Sequence, residues 1–151
     1  MHPAAVAIPI GCWTASLVFD LASRFVTDGA FLARGSRWLI ALGVLGALAA
    51  ATLGFLDYIA TPPRTRAFRT ATTHMSLNLA VTTSYAVNYA LRHDARVGWG
   101  LIALSIISLA VLGVSGYLGG KLAYRYGVRV ADEATQLEGY EDAPAITKEE
   151  I

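Results

Sequence analysis

The chain has 151 residues, of which 55% are hydrophobic and only 15% are charged. A soluble domain carries about 25% charged residues, so this composition argues against an ordinary soluble domain and predicts a membrane protein. The net charge is only +1, and no basic patch with interleaved aromatic residues indicates a nucleic-acid partner. The single cysteine, Cys12, excludes an internal disulfide and a thiolate metal cluster.

The first two predicted helices are apolar runs that are long enough to cross a membrane. The first run covers residues 3–25 and contains Asp20, with Arg24 four residues later. We expect these two side chains to form a helix-stabilising ion pair. The run lacks the basic start of a signal peptide, so we expect it to remain in the protein. The second run covers residues 38–60. Small residues recur along one of its faces, which predicts close approach of another helix.

The third and fourth predicted helices differ in polarity. The third covers residues 70–91 and carries threonines, serines, asparagines and a histidine. We expect it to face the interior of the bundle, where polar side chains find partners. The fourth covers residues 98–120, and its Gly116 and Gly120 form a small-xxx-small pair that favours helix packing. Basic and aromatic residues at positions 121–126 then mark a membrane boundary.

Four spans predict an all-α, integral membrane four-helix bundle with up-down-up-down topology and both termini on the same side. We expect residues 1–130 to form the membrane domain and residues 131–151 to form a flexible acidic tail. Seven of the eleven acidic residues lie in that tail, between Asp132 and Glu150. Near the helix ends, the side with the termini holds six Lys and Arg residues and the other side holds five. This difference favours cytoplasmic termini by one charge.

Polar residues from all four helices are expected at one mouth of this bundle. His2 opens the first run, Asp57 lies near the end of the second, and His74 lies about one turn into the third. Asn78 is four residues beyond His74, and Tyr124 follows the fourth run. Neutral imidazole commonly ligates haem iron and transition metals, and a nearby carboxylate orients such a ligand. We therefore predict that His2 and His74 ligate a haem b or a metal ion. The supporting polar groups are Asp57, Asn78 and Tyr124.

A structural interpretation of the same residues is simpler. Polarity costs little near the membrane interface, where His74 caps the start of its helix or bonds Asp57 across helices. The chain contains no GxSxG, phosphate-loop, HExxH or CxxC motif, which argues against an enzyme. The alternative function is a non-catalytic accessory or structural subunit of a larger membrane complex, packed through the glycine faces of the second and fourth helices.

Four short segments together resemble the motifs of one family. They are HPAAVAIPIG at the start of the chain, GFLDY in the second run, RTATTHMSLN in the third, and SGYLGGKLAY with a following GV in the fourth. In this order they resemble the DUF2231 family of predicted four-span bacterial membrane proteins, over residues 2–130. The resemblance implies a multi-pass protein of a bacterial inner membrane, with the lipid bilayer as its first partner.

The same resemblance bears on the predicted site. Many members carry further histidines where this chain has Ala7 and Tyr126, so a multi-histidine metal site is incomplete here. A haem with the two axial ligands His2 and His74 does not need them. Some relatives are joined to Rieske-like iron–sulfur domains, which implies a redox context and a redox partner. The function expected from the sequence is therefore haem or metal binding in the service of membrane electron transfer.

Overall fold

The computed structural model describes residues 2–92, 96–130, 132 and 135, and for residues 2 and 3 it describes the backbone alone. This described part is all-helical and contains no strand. A single helical turn precedes four long helices. The bounds are His2–Ala5 (α1), Ala7–Ala22 (α2), Gly29–Ile59 (α3), Arg66–Ala90 (α4) and Trp99–Tyr124 (α5). Apart from positions 132 and 135, the predicted acidic tail lies outside the described residues.

The helix α3 is longer than the apolar run that indicated it. It begins at Gly29, whereas hydropathy alone predicts a start near residue 38. The added turns contain Arg34 and Arg37, which lower the hydropathy although arginine is a good helix former. The guanidinium of Arg37 lies over the ring of Tyr89, 4.8 Å from its centroid. This charge is therefore held against α4.

Helix α4 begins before its predicted run, and α5 ends after its predicted run. Pro62–Pro63 interrupts the helical chain, and α4 begins soon afterwards at Arg66. Thr65 is its N-cap, and its hydroxyl accepts a hydrogen bond of 3.1 Å from the backbone N–H of Phe68. This bond satisfies one of the amide groups that a helix start leaves unpaired. At the other end of the chain, α5 continues to Tyr124.

Consecutive long helices run antiparallel. The indole N–H of Trp13 on α2 donates to the carbonyl of Ile40 on α3 at 3.4 Å. Further along α2, the carbonyl of Ser16 accepts a 3.0 Å bond from the hydroxyl of Ser36, which lies earlier on α3. Contacts between α3 and α4, and between α4 and α5, also join early residues of one helix to late residues of the other. These two pairs of helices are therefore antiparallel as well.

The centre of the structure is a cluster of large side chains from three helices. Trp13, Ile40, Val81 and Tyr85 are buried against one another. The rings of Trp13 and Tyr85 are stacked, with centroids 4.3 Å apart and planes 8° from parallel. A Cβ atom at Gly43 would overlap the indole of Trp13. The close approach predicted from the small-residue face of the second helix therefore occurs at Gly43.

The outer surface is strongly apolar. Two of the described helices, α3 and α5, are long and apolar enough to cross a membrane, and α2 is a shorter apolar helix. Soluble proteins rarely expose large contiguous apolar patches, whereas lipid solvates them. Exposed side chains on these helices include Phe31, Trp38, Leu45, Ile107, Val114 and Tyr117.

Candidate functional site

His74 is fixed between α4 and α5 by hydrogen bonds to both ring nitrogens. Its Nδ1 lies 2.8 Å from the carbonyl oxygen of Ser115 and 3.0 Å from the hydroxyl of the same residue. Its Nε2 lies 3.1 Å from the side-chain nitrogen of Asn78. An amide nitrogen only donates, so Nε2 is the accepting nitrogen and Nδ1 carries the proton. These partners assign a neutral Nδ1–H imidazole.

The surroundings of His74 explain why the ring stays in this place. Asn78 lies one helical turn away, where residues four apart share a face, and its amide also donates to the carbonyl of His74 at 3.0 Å. Ser115 is fully buried and also donates to that carbonyl, at 3.3 Å. A Cβ atom at Gly119 would lie 3.1 Å from Cε1 of the imidazole. The glycine therefore lets the ring lie directly against α5.

The structure places the remaining predicted site residues differently. Asp57 accepts a 2.7 Å hydrogen bond from Nε of Arg129, and this ion pair is partly exposed. Tyr124 is 92% exposed. His2 lies in α1, and its side chain is outside the described part. Of the predicted group, the structure thus shows Asn78 in contact with His74. Haem or metal ligation by His2 and His74 remains a prediction.

A second polar cluster lies at the opposite end of the helices, around Asp20. The guanidinium of Arg92 donates to both carboxylate oxygens of Asp20, at 2.7 and 2.6 Å. It also donates to the hydroxyl of Ser36 at 2.9 Å and to the side-chain oxygen of Asn88 at 2.8 Å. The side chains of the ion pair are only 4% and 0% exposed. Two-point contact is the strongest geometry for an arginine–carboxylate pair.

The predicted ion pair between Asp20 and Arg24 is wrong. Helix α2 ends at Ala22, so Arg24 lies beyond the last turn and does not share the face of Asp20. The guanidinium of Arg24 instead donates to the carbonyl of Val97 at 3.3 Å and lies 4.8 Å from the ring centroid of Trp99.

The Asp20 cluster joins all four long helices. Asn88 on α4 donates to the carbonyl of Leu101 at 2.9 Å and to the hydroxyl of Ser105 at 3.0 Å, both on α5. Ser36 on α3 donates to the carbonyl of Ser16 on α2 at 3.0 Å. In the described part of the chain, every buried side-chain nitrogen or oxygen atom has a hydrogen-bond partner.

Sequence comparison matches most of the chain to one family model. A family model described as a predicted membrane protein, DUF2231, matches residues 1–132. The chain belongs to the DUF2231 family. The resemblance noted from its four motifs is thereby confirmed. Neither the curated proteins nor the solved structures contain a match to this chain.

The two polar clusters of this DUF2231 protein differ in chemical character. The Asp20 cluster is a closed set of ion-pair and amide contacts, which suits it to holding helices together. The His74 cluster contains a neutral imidazole, whose Nε2 is a typical ligand atom for iron and other transition metals. Among the side chains that the structure describes, no group of three or more His, Cys, Asp and Glu could hold a metal ion.

The Asp20 cluster is not among the residues predicted from the sequence, although the sequence contains one signal for it. The buried residues of α2 are Pro9, Trp13, Ser16 and Asp20. They recur three or four positions apart, as expected for one helix face. Asp20 therefore continues an interior face, where an acid needs a cation. The sequence does not say which of several arginines supplies it, because that depends on how the helices rotate against each other.

Proposed function

We propose that this DUF2231 protein is a four-span integral membrane bundle with up-down-up-down topology and both termini in the cytoplasm. The antiparallel contacts and the apolar outer faces of α2, α3 and α5 support the four spans. The polar helix α4 is compatible with lipid because its hydroxyl groups bond to carbonyls one turn earlier. Such bonds are made by Thr70, Thr72, Thr73, Thr82 and Ser84.

We further propose that His74 ligates a haem b that serves membrane electron transfer, with His2 as the second ligand. One observation carries this proposal, the 2.8 Å bond from Nδ1 of His74 to the carbonyl of Ser115. Ligating histidines typically donate their other ring N–H to a carbonyl or carboxylate, which fixes the tautomer and directs the ligating nitrogen. The ligating nitrogen would be Nε2, which accepts a hydrogen bond from the side-chain amide of Asn78. Rotation of the Asn78 side chain would free Nε2 for a ligand.

The donor set fits a haem better than a bare metal ion. A bare ion needs several protein ligands, whereas the proposal names only two, His2 and His74. A porphyrin supplies four nitrogen ligands of its own, so the protein needs to add only one or two axial side chains. When bound, a haem would supply one-electron chemistry, and the role of His74 would be to hold and orient it. Ser115 and Gly119 would position the imidazole.

The test is the visible spectrum of the full chain, purified in mild detergent from cells supplied with a haem precursor. We expect a Soret band in the wild type, its loss in His74→Ala, and its retention in His93→Ala. His93 is a matched control because the sequence places it in a charged segment outside the spans. A colourless, metal-free wild type would refute the haem proposal, and so would an unchanged Soret band in His74→Ala.

A second function, that of a non-catalytic accessory subunit, is favoured by one feature of α5. Nothing lies within 4 Å of a Cβ atom at Gly113 or Gly116, so this small-residue face is open to another membrane helix. On native gels of the membranes, Gly116→Ile should then release the protein from a larger complex. Gly100→Ile, on an equally open part of α5, should not. Migration as a small species in the wild type would contradict this function.

A further inference from the structure

The C-terminal end of α5 carries a shallow open groove with a distinct chemical make-up. Two tyrosines, Tyr117 and Tyr124, form its walls and are 73% and 92% exposed. Gly120 lies between them, and nothing is within 4 Å of a Cβ atom placed there. Lys121 and Arg125 line the same groove. The groove thus combines an apolar lining with two cationic side chains.

The described residues place no carboxylate in an ion pair with either cation of the groove. Within the described part of the chain, the ion pairs are Asp20–Arg92 and Asp57–Arg129, so neither Lys121 nor Arg125 has a carboxylate partner there. The ammonium group of Lys121 lies 5.7 Å from the ring centroid of Tyr126, which keeps it near the end of the helix. Arg125 is exposed.

We propose that this groove binds an anionic phospholipid. Its phosphate would lie between Lys121 and Arg125, and an acyl chain would follow Gly120 towards Tyr117. Tyrosines prefer the level of the lipid headgroups, and basic residues next to a span attract anionic lipids. A zwitterionic lipid would bring its own cationic group close to the same two cations. The charge of the groove therefore selects an anionic headgroup.

The inference rests on the membrane-spanning part of the proposed function and is independent of haem binding. Each basic residue near the surface favours an anionic lipid by about fivefold, so two give a preference of about 25-fold. The negative end of the α5 dipole opposes an anion, but it amounts to only about half a charge. The two full positive charges therefore dominate.

A tryptophan in the groove allows the preference to be measured. Full-length protein carrying Tyr124→Trp is reconstituted in phosphatidylcholine vesicles. Brominated phosphatidylglycerol or brominated phosphatidylcholine is then added as a contact quencher. The same measurement without this substitution gives the background from the native tryptophans. We expect quenching by brominated phosphatidylglycerol to show the roughly 25-fold preference. In a variant that also carries Lys121→Gln and Arg125→Gln, this preference should disappear.

The matched control removes two charges near the start of α4. A variant with Tyr124→Trp, Arg64→Gln and Arg66→Gln should keep the preference, because neither arginine lines the groove. An equal loss in both variants would show diffuse attraction and overturn the site, as would the absence of any preference. If the groove binds an acidic protein and shows no preference for anionic lipid, the proposed lipid site is also overturned. If the protein fails to float with vesicles after an alkaline wash, the membrane proposal fails instead.

Discussion

Removing the carboxylate of Asp20 should strongly destabilise the protein. Asp20→Asn keeps the size of the side chain but leaves the buried guanidinium of Arg92 without its counter-charge. Two short charge-assisted bonds, 2.6 and 2.7 Å, lose their ionic character. Each hydrogen bond to a charged group contributes about 1.5–3 kcal/mol, and breaking a buried ion pair costs about 3–5 kcal/mol. We expect the free energy of unfolding to fall by about 3–5 kcal/mol.

The protein offers its own control for this experiment. The ion pair of Asp57 and Arg129 has a similar N–O distance, 2.7 Å, but its arginine side chain is 63% exposed. Exposed pairs contribute only about 0.2–1 kcal/mol, so Asp57→Asn should have a small effect. In the double variant of Asp20→Asn and Arg92→Met, the buried charge is also removed. The double variant should lose less free energy of unfolding than the two single variants lose together, by about 2–3 kcal/mol.

The assay is reversible unfolding in mixed micelles of a mild detergent and increasing SDS, followed by circular dichroism. The result that refutes the reasoning is an Asp20→Asn cost no larger than that of Asp57→Asn. A second comparison tests the identity of the partner. Arg92→Met should cost more than Arg24→Met, because the Arg24 guanidinium contacts Val97 and Trp99 rather than Asp20. An equal cost would contradict the buried network.

Three further predictions use the same preparation. Gly43→Ala should lower the free energy of unfolding by about 1–3 kcal/mol, because the added methyl group overlaps an indole ring. A Cβ atom at Gly113 meets open space, so Gly113→Ala should stabilise the helix by up to about 1 kcal/mol. Equal effects of the two substitutions on the free energy of unfolding would contradict the close contact at Gly43. Tyr85→Phe removes a 3.3 Å bond to a carbonyl of α5 and should cost about 0.5–1.5 kcal/mol, so a neutral result would count against this bond. Ser115→Ala should leave the His74 tautomer unchanged in nitrogen NMR, because the carbonyl partner remains; a proton on Nε2 would disprove the assignment.

The sequence predicts the helices well because hydropathy and chain breakers act locally. It fails at the start of α3, where Arg34 and Arg37 interrupt the apolar run without interrupting the helix. The contact of Asn78 with His74 follows from a spacing of four residues on one helix. The bond of His74 to Ser115 joins residues 41 positions apart. It depends on the rotation and register of α5, which no local pattern encodes.

The same distinction explains the error at Asp20. A local rule favours an ion pair with a residue four positions later, and it applies only while the helix continues. The long-range partner, Arg92, is 72 residues away in sequence. Comparing the depths of residues along the bundle makes Arg92 a candidate partner, because Asp20 and Arg92 both lie near the ends of helices that run in the same direction. Depth alone does not distinguish Arg92 from other arginines at that end, such as Arg37.

The two clusters differ in the free energy that a ligand would have to supply in order to enter them. To enter the Asp20 cluster, a ligand must break charge-assisted bonds between buried groups, at a cost of about 3–5 kcal/mol. At His74 it must displace one neutral bond, from the Asn78 amide to Nε2, which contributes about 0.5–1.5 kcal/mol. The bond from Nδ1 to Ser115 can stay in place and continue to orient the ring. This difference of a few kcal/mol favours the His74 end for ligand chemistry and assigns the Asp20 end to holding the helices together.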